Sequence, residues 1–155
     1  MRINKLIEIV GLILFSSWTI RLYYKIFDKK IRRYAIQIGG LLILLLSLRA
    51  IRDYAIKDIN AIWYLYYIPL IFMPALYYMC SRYIASRENK IIKFIIYGIS
   101  AILTMLVLTN DLHKFVFLIQ ENTKSYSHRI GYFIILVWIL YLLFAATINL
   151  SMQRR

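Results

Sequence analysis

Cysteine, histidine and acidic residues are all scarce in this chain, and each shortage excludes a class of function. The 155 residues include one cysteine, Cys80, and two histidines, His113 and His128. A single cysteine allows neither an internal disulfide nor a cysteine-rich metal site. The sequence also lacks a glycine-rich phosphate loop and a nucleophile elbow, and few titratable residues lie at membrane depth. We therefore expect no enzymatic activity, no metal and no cofactor.

Acidic residues number only seven against 20 Lys and Arg, which gives a formal net charge of +13. An excess of this size can indicate a nucleic-acid partner. Here the basic residues lie at the ends of apolar segments, where Lys and Arg define topology and meet anionic lipid head groups. No soluble face that is both aromatic and basic remains to hold a phosphate backbone. We expect membrane lipid as a partner, and no nucleic acid.

The apolar residues make up 62% of the chain and occur in long blocks with charged clusters between them. Each block approaches the roughly 20 residues that a helix needs to cross a hydrocarbon core. Backbone groups inside lipid must be satisfied within the segment, and the blocks do not alternate as strands of a β-barrel do. The sequence predicts an all-α integral membrane protein, a single domain over residues 1–155. The transmembrane bundle of about five helices covers residues 6–24, 34–51, 59–83, 91–112 and 131–150.

Basic residues are divided unevenly between the two ends of these predicted helices. One side collects eleven Lys and Arg against two acids, whereas the other side has eight against four. The positive-inside rule assigns the more basic side to the cytoplasm. We therefore expect the N-terminus outside and the C-terminus in the cytoplasm.

Polar side chains crowd the end of the fourth predicted helix and the residues after it: Thr109, Asn110, Asp111, His113 and Lys114. Such groups either satisfy a helix terminus or line a ligand-sensing site, and both interpretations stay open. Asn110 and His113 are three residues apart and can share a helix face. Asp111 and His113 are two apart and point in different directions. The ligand spacings usual for a metal site are absent.

The third predicted helix contains both prolines of the chain, Pro69 and Pro74. Each proline removes an amide hydrogen and frees the carbonyl four residues earlier, and that carbonyl needs a partner inside the bundle. One face of this helix is predicted to point inward, either as core or as a ligand wall. By the spacing of three and four residues, that face contains Trp63, Tyr67, Leu70, Pro74 and Tyr77.

Two motifs stand in a recognisable order. Residues 63–74 read Trp-Tyr-Leu-Tyr-Tyr-Ile-Pro-Leu-Ile-Phe-Met-Pro, and residues 106–113 read Leu-Val-Leu-Thr-Asn-Asp-Leu-His. An arginine-and-tyrosine stretch precedes them, and Gly131-Tyr132 then opens a helix with Trp138. This order resembles the amino-terminal membrane input region of bacterial sensor histidine kinases, the type described as a seven-helix domain. The resemblance covers residues 49–150.

The resemblance implies a membrane sensor, although members of that family have more helices and usually continue into cytoplasmic kinase domains. We expect a non-catalytic input module in the bacterial inner membrane that binds an extracellular signal and relays it to a separate signalling protein. A structural or assembly subunit of a larger membrane complex is the alternative, and a second copy of the chain is a further candidate partner. The candidate ligand-sensing or helix-stabilising residues are Trp63, Tyr67, Pro69, Pro74, Thr109, Asn110, Asp111, His113 and Trp138.

Overall fold

Long apolar segments satisfy their own backbone hydrogen bonds as helices, and helices dominate the computed structural model of the chain. The structure describes residues 2–54, 60–120 and 125–153. The helices are α1 (Arg2–Lys25), α2 (Lys29–Tyr54), α3 (Asn60–Leu65), α4 (Tyr67–Ile84), α5 (Lys90–Leu108), α6 (Asn110–His113) and α7 (Ile130–Gln153). Between α6 and α7, β1 (Phe117–Gln120) pairs antiparallel with β2 (Ser125–His128).

Within the described residues, three helices are long and apolar enough to cross a membrane. The spans are Lys29–Ile51 in α2, Lys90–Leu108 in α5 and Ile130–Met152 in α7. Their outward faces are strongly apolar, with Phe94, Val137 and Phe144 among the most exposed side chains. Exposed rings and branched aliphatic groups of this kind suit contact with lipid tails. These features agree with the predicted helical membrane protein.

Helix α4 lies at the centre of the bundle and packs against α2, α5 and α7. Ala75 of α4 and Ala146 of α7 are fully buried in one core cluster, and small residues at such positions let two helices approach closely. A second cluster contains Tyr64, Ile71 and Phe117 and lies toward the hairpin. The two clusters hold α4 along most of its length.

The third predicted helix is divided at Tyr66 into α3 and α4, whereas the sequence predicts one continuous helix from residue 59. Pro69 explains the break, because it has no amide hydrogen to donate to the carbonyl of Leu65, the last residue of α3. Pro74 is buried inside α4 without dividing it. The predicted start at Ile59 lies outside the described residues.

The inward face of α4 also differs from the predicted one. Leu70 and Tyr77 are each 38% exposed, so the inward face predicted from the spacing is wrong at these two positions. The buried positions of α4 instead include Ile71, Ala75 and Met79. Leu70 and Tyr77 lie in α4 with Pro74, and the packing of α4 against α2, α5 and α7 determines which of its positions are buried. Helical spacing alone does not contain that information.

The fourth predicted helix ends earlier than expected, and the loop after it contains strands. Helix α5 stops at Leu108, and the four-residue α6 follows after Thr109. The hairpin begins at Phe117, within a run of apolar residues that starts at Phe115. Apolar β-branched and aromatic residues are typical of strands, and two short strands lie between the predicted helices at 91–112 and 131–150, where the sequence analysis predicts no strand.

Candidate functional site

Asn110 is the buried centre of the polar motif, with 1% of its surface exposed. Its Oδ1 accepts hydrogen bonds from the amides of Val116 at 2.9 Å and Phe117 at 3.0 Å. Its Nδ2 donates to the carbonyl of Phe117 at 3.0 Å and to the hydroxyl of Tyr64 at 3.2 Å. An asparagine amide offers two acceptor and two donor positions, and all four are used here. We call this set, with Asp111, the Asn110 corner.

Tyr64 connects the corner to α3. The side chain is 2% exposed, and its hydroxyl donates to Oδ1 of Asp111 at 2.6 Å while it accepts from Asn110. Asp111 itself is exposed. The hydroxyl of Tyr64 therefore joins α3, which ends at the proline break, to α6.

Thr109 and His113 lie on the exposed side of the same turn. Thr109 Oγ1 donates to the carbonyl of Met105 at 2.8 Å and lies 3.3 Å from Nε2 of His113. The backbone amide of Phe115 donates to Nδ1 of His113 at 3.0 Å. Because Nδ1 accepts a hydrogen bond, the neutral ring carries its proton on Nε2 and donates it to Thr109. His113 thus contacts Thr109 and not Asn110, although the spacing of Asn110 and His113 suggested a shared face.

The backbone turns sharply after α6 so that the hairpin can fold back onto the corner. Lys114 adopts a left-handed conformation with φ 49° and ψ 31°, and its amide donates to the carbonyl of Asn110 at 2.7 Å. Gly131 then lies against Phe115, whose carbonyl and ring would come within about 3 Å of any added side chain. The amide of Gly131 donates to that carbonyl at 3.2 Å, which ties the hairpin to the start of α7.

Aromatic rings surround the buried side chain of Phe117. The ring centroid of Trp63 lies 4.5 Å away, that of Tyr67 5.3 Å, and those of His128 and Tyr132 both 5.9 Å. Tilted and edge-to-face pairs of this kind add about 0.5–1.5 kcal/mol each beyond the area that they bury. We call these five residues the aromatic cap. It packs α3, α4, the hairpin and α7 together.

The structure brings some of the predicted site residues together and leaves others elsewhere. Trp63 and Tyr67 meet Asn110 through Phe117, and Asp111 joins them through Tyr64. Pro69 is buried in the first turn of α4, and Pro74 lies farther along the same helix. Trp138 donates from Nε1 to the buried hydroxyl of Ser100 at 3.2 Å and so joins α7 to α5.

Tyr64, Val116, Phe117 and Tyr132 belong to this site, but the sequence interpretation did not select them. Tyr64 stands beside Trp63 in the aromatic run but is not at the spacing of the face that was chosen. Val116 and Phe117 follow the polar motif in the chain, and their apolar, strand-forming character is a usable signal.

Among the residues that the structure describes, no group of three or more His, Cys, Asp or Glu side chains could hold a metal ion. No family model, curated protein or solved structure matches this chain. The site presents the exposed carboxylate of Asp111 beside a hydrogen-bonded, aromatic connection between helices.

Proposed function

We propose that the protein is a non-catalytic sensor module with five membrane crossings in the bacterial inner membrane. In this proposal the N-terminus and the hairpin lie outside, and the C-terminus lies in the cytoplasm. The three long apolar helices and the uneven distribution of basic residues support this arrangement. The motifs of residues 63–74 and 106–113, which resemble the input region of sensor histidine kinases, support a sensing role.

The observation that carries the proposal is the hydrogen bond between Tyr64 and Asp111. It joins α3, which ends at the proline break, to α6 and, through Asn110, to the hairpin. An extracellular ligand that binds the exposed carboxylate of Asp111 competes with Tyr64 for it. Release of Tyr64 then changes the position of α3 relative to α4, provided that the ligand binds one arrangement more tightly than the other.

The chemistry at this surface favours a ligand that is cationic or rich in hydrogen-bond donors. Asp111 is an acceptor when ionised, and the half-buried rings of Trp63 and Tyr67 lie beyond Tyr64 in the same assembly. Aromatic faces attract cations. A separate membrane-associated signalling protein would then detect the helix movement at the cytoplasmic end.

Crosslinking in native membranes through a C-terminal tag tests this function, with Tyr64→Phe and Asp111→Leu as the decisive variants. Each removes the Tyr64–Asp111 hydrogen bond from one side, because phenylalanine cannot donate it and leucine cannot accept it. Thr147→Val is the matched control, because that hydroxyl donates to the carbonyl of Leu143 in its own helix, away from the Asn110 corner. Both decisive variants should alter the yield or phosphorylation of a crosslinked kinase or response protein in the same direction, and the control should not. Unchanged crosslinking in both decisive variants would contradict the assignment of a sensing site to Tyr64 and Asp111.

A structural or assembly subunit is the second candidate, and the satisfied side chain of Asn110 favours it. All four hydrogen bonds of Asn110 are made within the chain, as expected of a residue that holds helices together. This candidate predicts a stoichiometric membrane partner in mild detergent whose recovery does not change in Tyr64→Phe.

A further inference from the structure

A groove of about 560 Å³ lies between α2, α4 and α5, separate from the Asn110 corner. Its size falls within the range of roughly 300–1,000 Å³ that is typical of small-molecule sites. One stripe of α2 and parts of α4 and α5 form its walls. The lining residues are Lys30, Arg33, Tyr34, Gln37, Gly40, Leu41, Ile68, Phe72, Leu76, Lys93 and Tyr97.

Basic side chains lie at one end of this groove only. Lys30 and Arg33 are in the first turns of α2, and Lys93 is in the first turn of α5. Lys30 pairs with Glu88. Arg33 and Lys93 form no ion pair within the described residues, and no acidic residue lines the groove. The electrostatic character of this end therefore favours an anion.

The opposite part of the groove is apolar and has the depth of one lipid leaflet. Leu41, Phe72 and Leu76 form its walls. From Lys30 to Leu41 the axis of α2 rises by about 16 Å at 1.5 Å per residue. This equals about half of a hydrocarbon core of roughly 30 Å, so a head group at the basic end would place an acyl chain along the apolar walls.

Tyr34 supplies an independent indication that the groove accepts a polar group. It is only 4% exposed, and its hydroxyl has no hydrogen-bond partner within the described protein. A buried polar group without a partner costs free energy, and such groups are rare in folded proteins. Tyr34 follows Arg33 directly and lines the same groove. Its hydroxyl can donate to an oxygen of a bound head group.

We propose that this groove is a specific site for an anionic phospholipid of the cytoplasmic leaflet. Arg33 and Lys93 would bind the phosphate, Tyr34 would donate a hydrogen bond to a head-group or ester oxygen, and one acyl chain would follow α4 inward. The site depends on membrane insertion but not on the sensing role, so failure of the Asp111 experiment leaves it intact.

Native mass spectrometry of the full chain in detergent tests the site, with phosphatidylglycerol, phosphatidylcholine and inorganic phosphate as the three probes. The variant is the double substitution Arg33→Gln with Lys93→Gln. The matched control is Lys25→Gln with Lys29→Gln, which removes the same charge at the same end of the bundle but does not line the groove. Circular dichroism of all variants checks that they are equally helical.

We expect the wild type and the control to bind phosphatidylglycerol in preference to phosphatidylcholine. The groove variant should bind phosphatidylglycerol about 10-fold or more weakly, since each Lys or Arg near an anionic lipid contributes about 1 kcal/mol. An equal loss of phosphatidylglycerol affinity in both double variants would show that the lipid responds to surface charge in general. That result would overturn the proposal of a specific site in the groove. Displacement of phosphatidylglycerol by inorganic phosphate alone would show an anion site without acyl-chain recognition, and would overturn it as well.

Tyr34→Phe separates lipid binding from a structural role of the phenol. In lipid-free detergent its thermal midpoint should equal or exceed that of the wild type, because the hydroxyl that is removed has no partner among residues 2–54, 60–120 and 125–153. Its affinity for phosphatidylglycerol should nevertheless fall. A lower midpoint with unchanged lipid affinity would contradict the assigned contact.

Discussion

Asn110 holds the end of α5, the hairpin and α3 in one arrangement through the four hydrogen bonds of its side chain. The groups that it satisfies are the amides of Val116 and Phe117, the carbonyl of Phe117 and the hydroxyl of Tyr64. Two of these are the amide and the carbonyl of Phe117, a residue that is fully buried. At the scale of the residue, the polar motif is therefore first a structural connection, and the exposed Asp111 is its accessible part.

Asn110→Ala should lower the free energy of unfolding by roughly 3 kcal/mol or more. The substitution leaves several buried backbone groups without partners, and each such group costs about 1–3 kcal/mol. The measurement is denaturant-induced unfolding in detergent micelles.

Asp111→Asn is the matched control for that measurement. The residue is exposed, and an amide oxygen can still accept from Tyr64, so we expect a change of about 0.5 kcal/mol or less. An Asn110→Ala protein as stable as this control would show that the corner does not hold the fold.

Asp28 lies at the end of the bundle opposite the hairpin and makes the stability of the protein depend on pH. Its carboxylate accepts from the amides of Ile31 and Lys30 at 2.9 and 2.7 Å, and from the hydroxyl of Tyr83 at 2.9 Å. The Ile31 amide above all, with Tyr83 and the Lys30 amide, lowers the pKa of Asp28 below its ordinary value of 3.8. Its stabilising contribution is therefore present above pH 3.8 and is lost as the pH falls through the lowered pKa.

Asp28→Asn tests this dependence, because asparagine still caps a helix but has no carboxyl group to titrate in the acid range. The thermal midpoint of the wild type should exceed that of the variant at about pH 6, and the difference should shrink toward about pH 3. Parallel midpoints across this range would contradict a stabilising ionised Asp28.

At the scale of the elements, the close approach of α1 and α2 depends on Gly39 of α2. A side-chain carbon at Gly39 would lie 2.7 Å from Cγ2 and 3.1 Å from Cβ of Thr19, whereas one at Gly40 meets nothing within 4 Å. Thr19 has little freedom to move, since it is β-branched and its hydroxyl bonds the carbonyl of Phe15 at 2.8 Å. Gly39 therefore permits the close approach of α1 to α2, whereas Gly40 has space for a side chain.

Gly39→Ala and Gly40→Ala form a matched pair in one helix. Both gain the same helix propensity, of about 1 kcal/mol, so their difference isolates the steric effect at Thr19. We expect Gly39→Ala to be less stable than Gly40→Ala by about 1–3 kcal/mol, measured by unfolding in detergent. Equal stabilities would mean that α1 and α2 do not pack at this distance.

The elements that the sequence predicted well are those with long uninterrupted apolar runs. The predicted helices at 34–51 and 131–150 lie inside α2 and α7. An apolar run of about 20 residues indicates a membrane helix whichever other helices pack against it. The break at Tyr66 and the hairpin at Phe117 depend on local hydrogen bonds. Proline chemistry pointed to the freed carbonyl of Leu65, but hydrophobicity could not show that the helix divides there.

At the scale of the whole molecule, the candidate site was predictable as a location but not as a set of contacts. The polar residues after Leu108 marked it, and Trp63 and Asn110 do belong to one assembly. Tyr64 and Phe117, which connect them, come from segments 53 residues apart in the chain. A single sequence contains no signal for such pairing, and helical spacing from Trp63 into α4 selected Tyr67 correctly but omitted Tyr64.

The central claim is that the hairpin and the basic end of the bundle lie on opposite sides of the membrane. In a Cys80→Ser background, single cysteines at Ser127 in the hairpin and at Lys25 at the basic end test it in spheroplasts with a membrane-impermeant maleimide. We expect Ser127→Cys to be labelled in intact spheroplasts and Lys25→Cys only after permeabilisation. Labelling of Lys25→Cys in intact spheroplasts, with Ser127→Cys protected, would contradict the account.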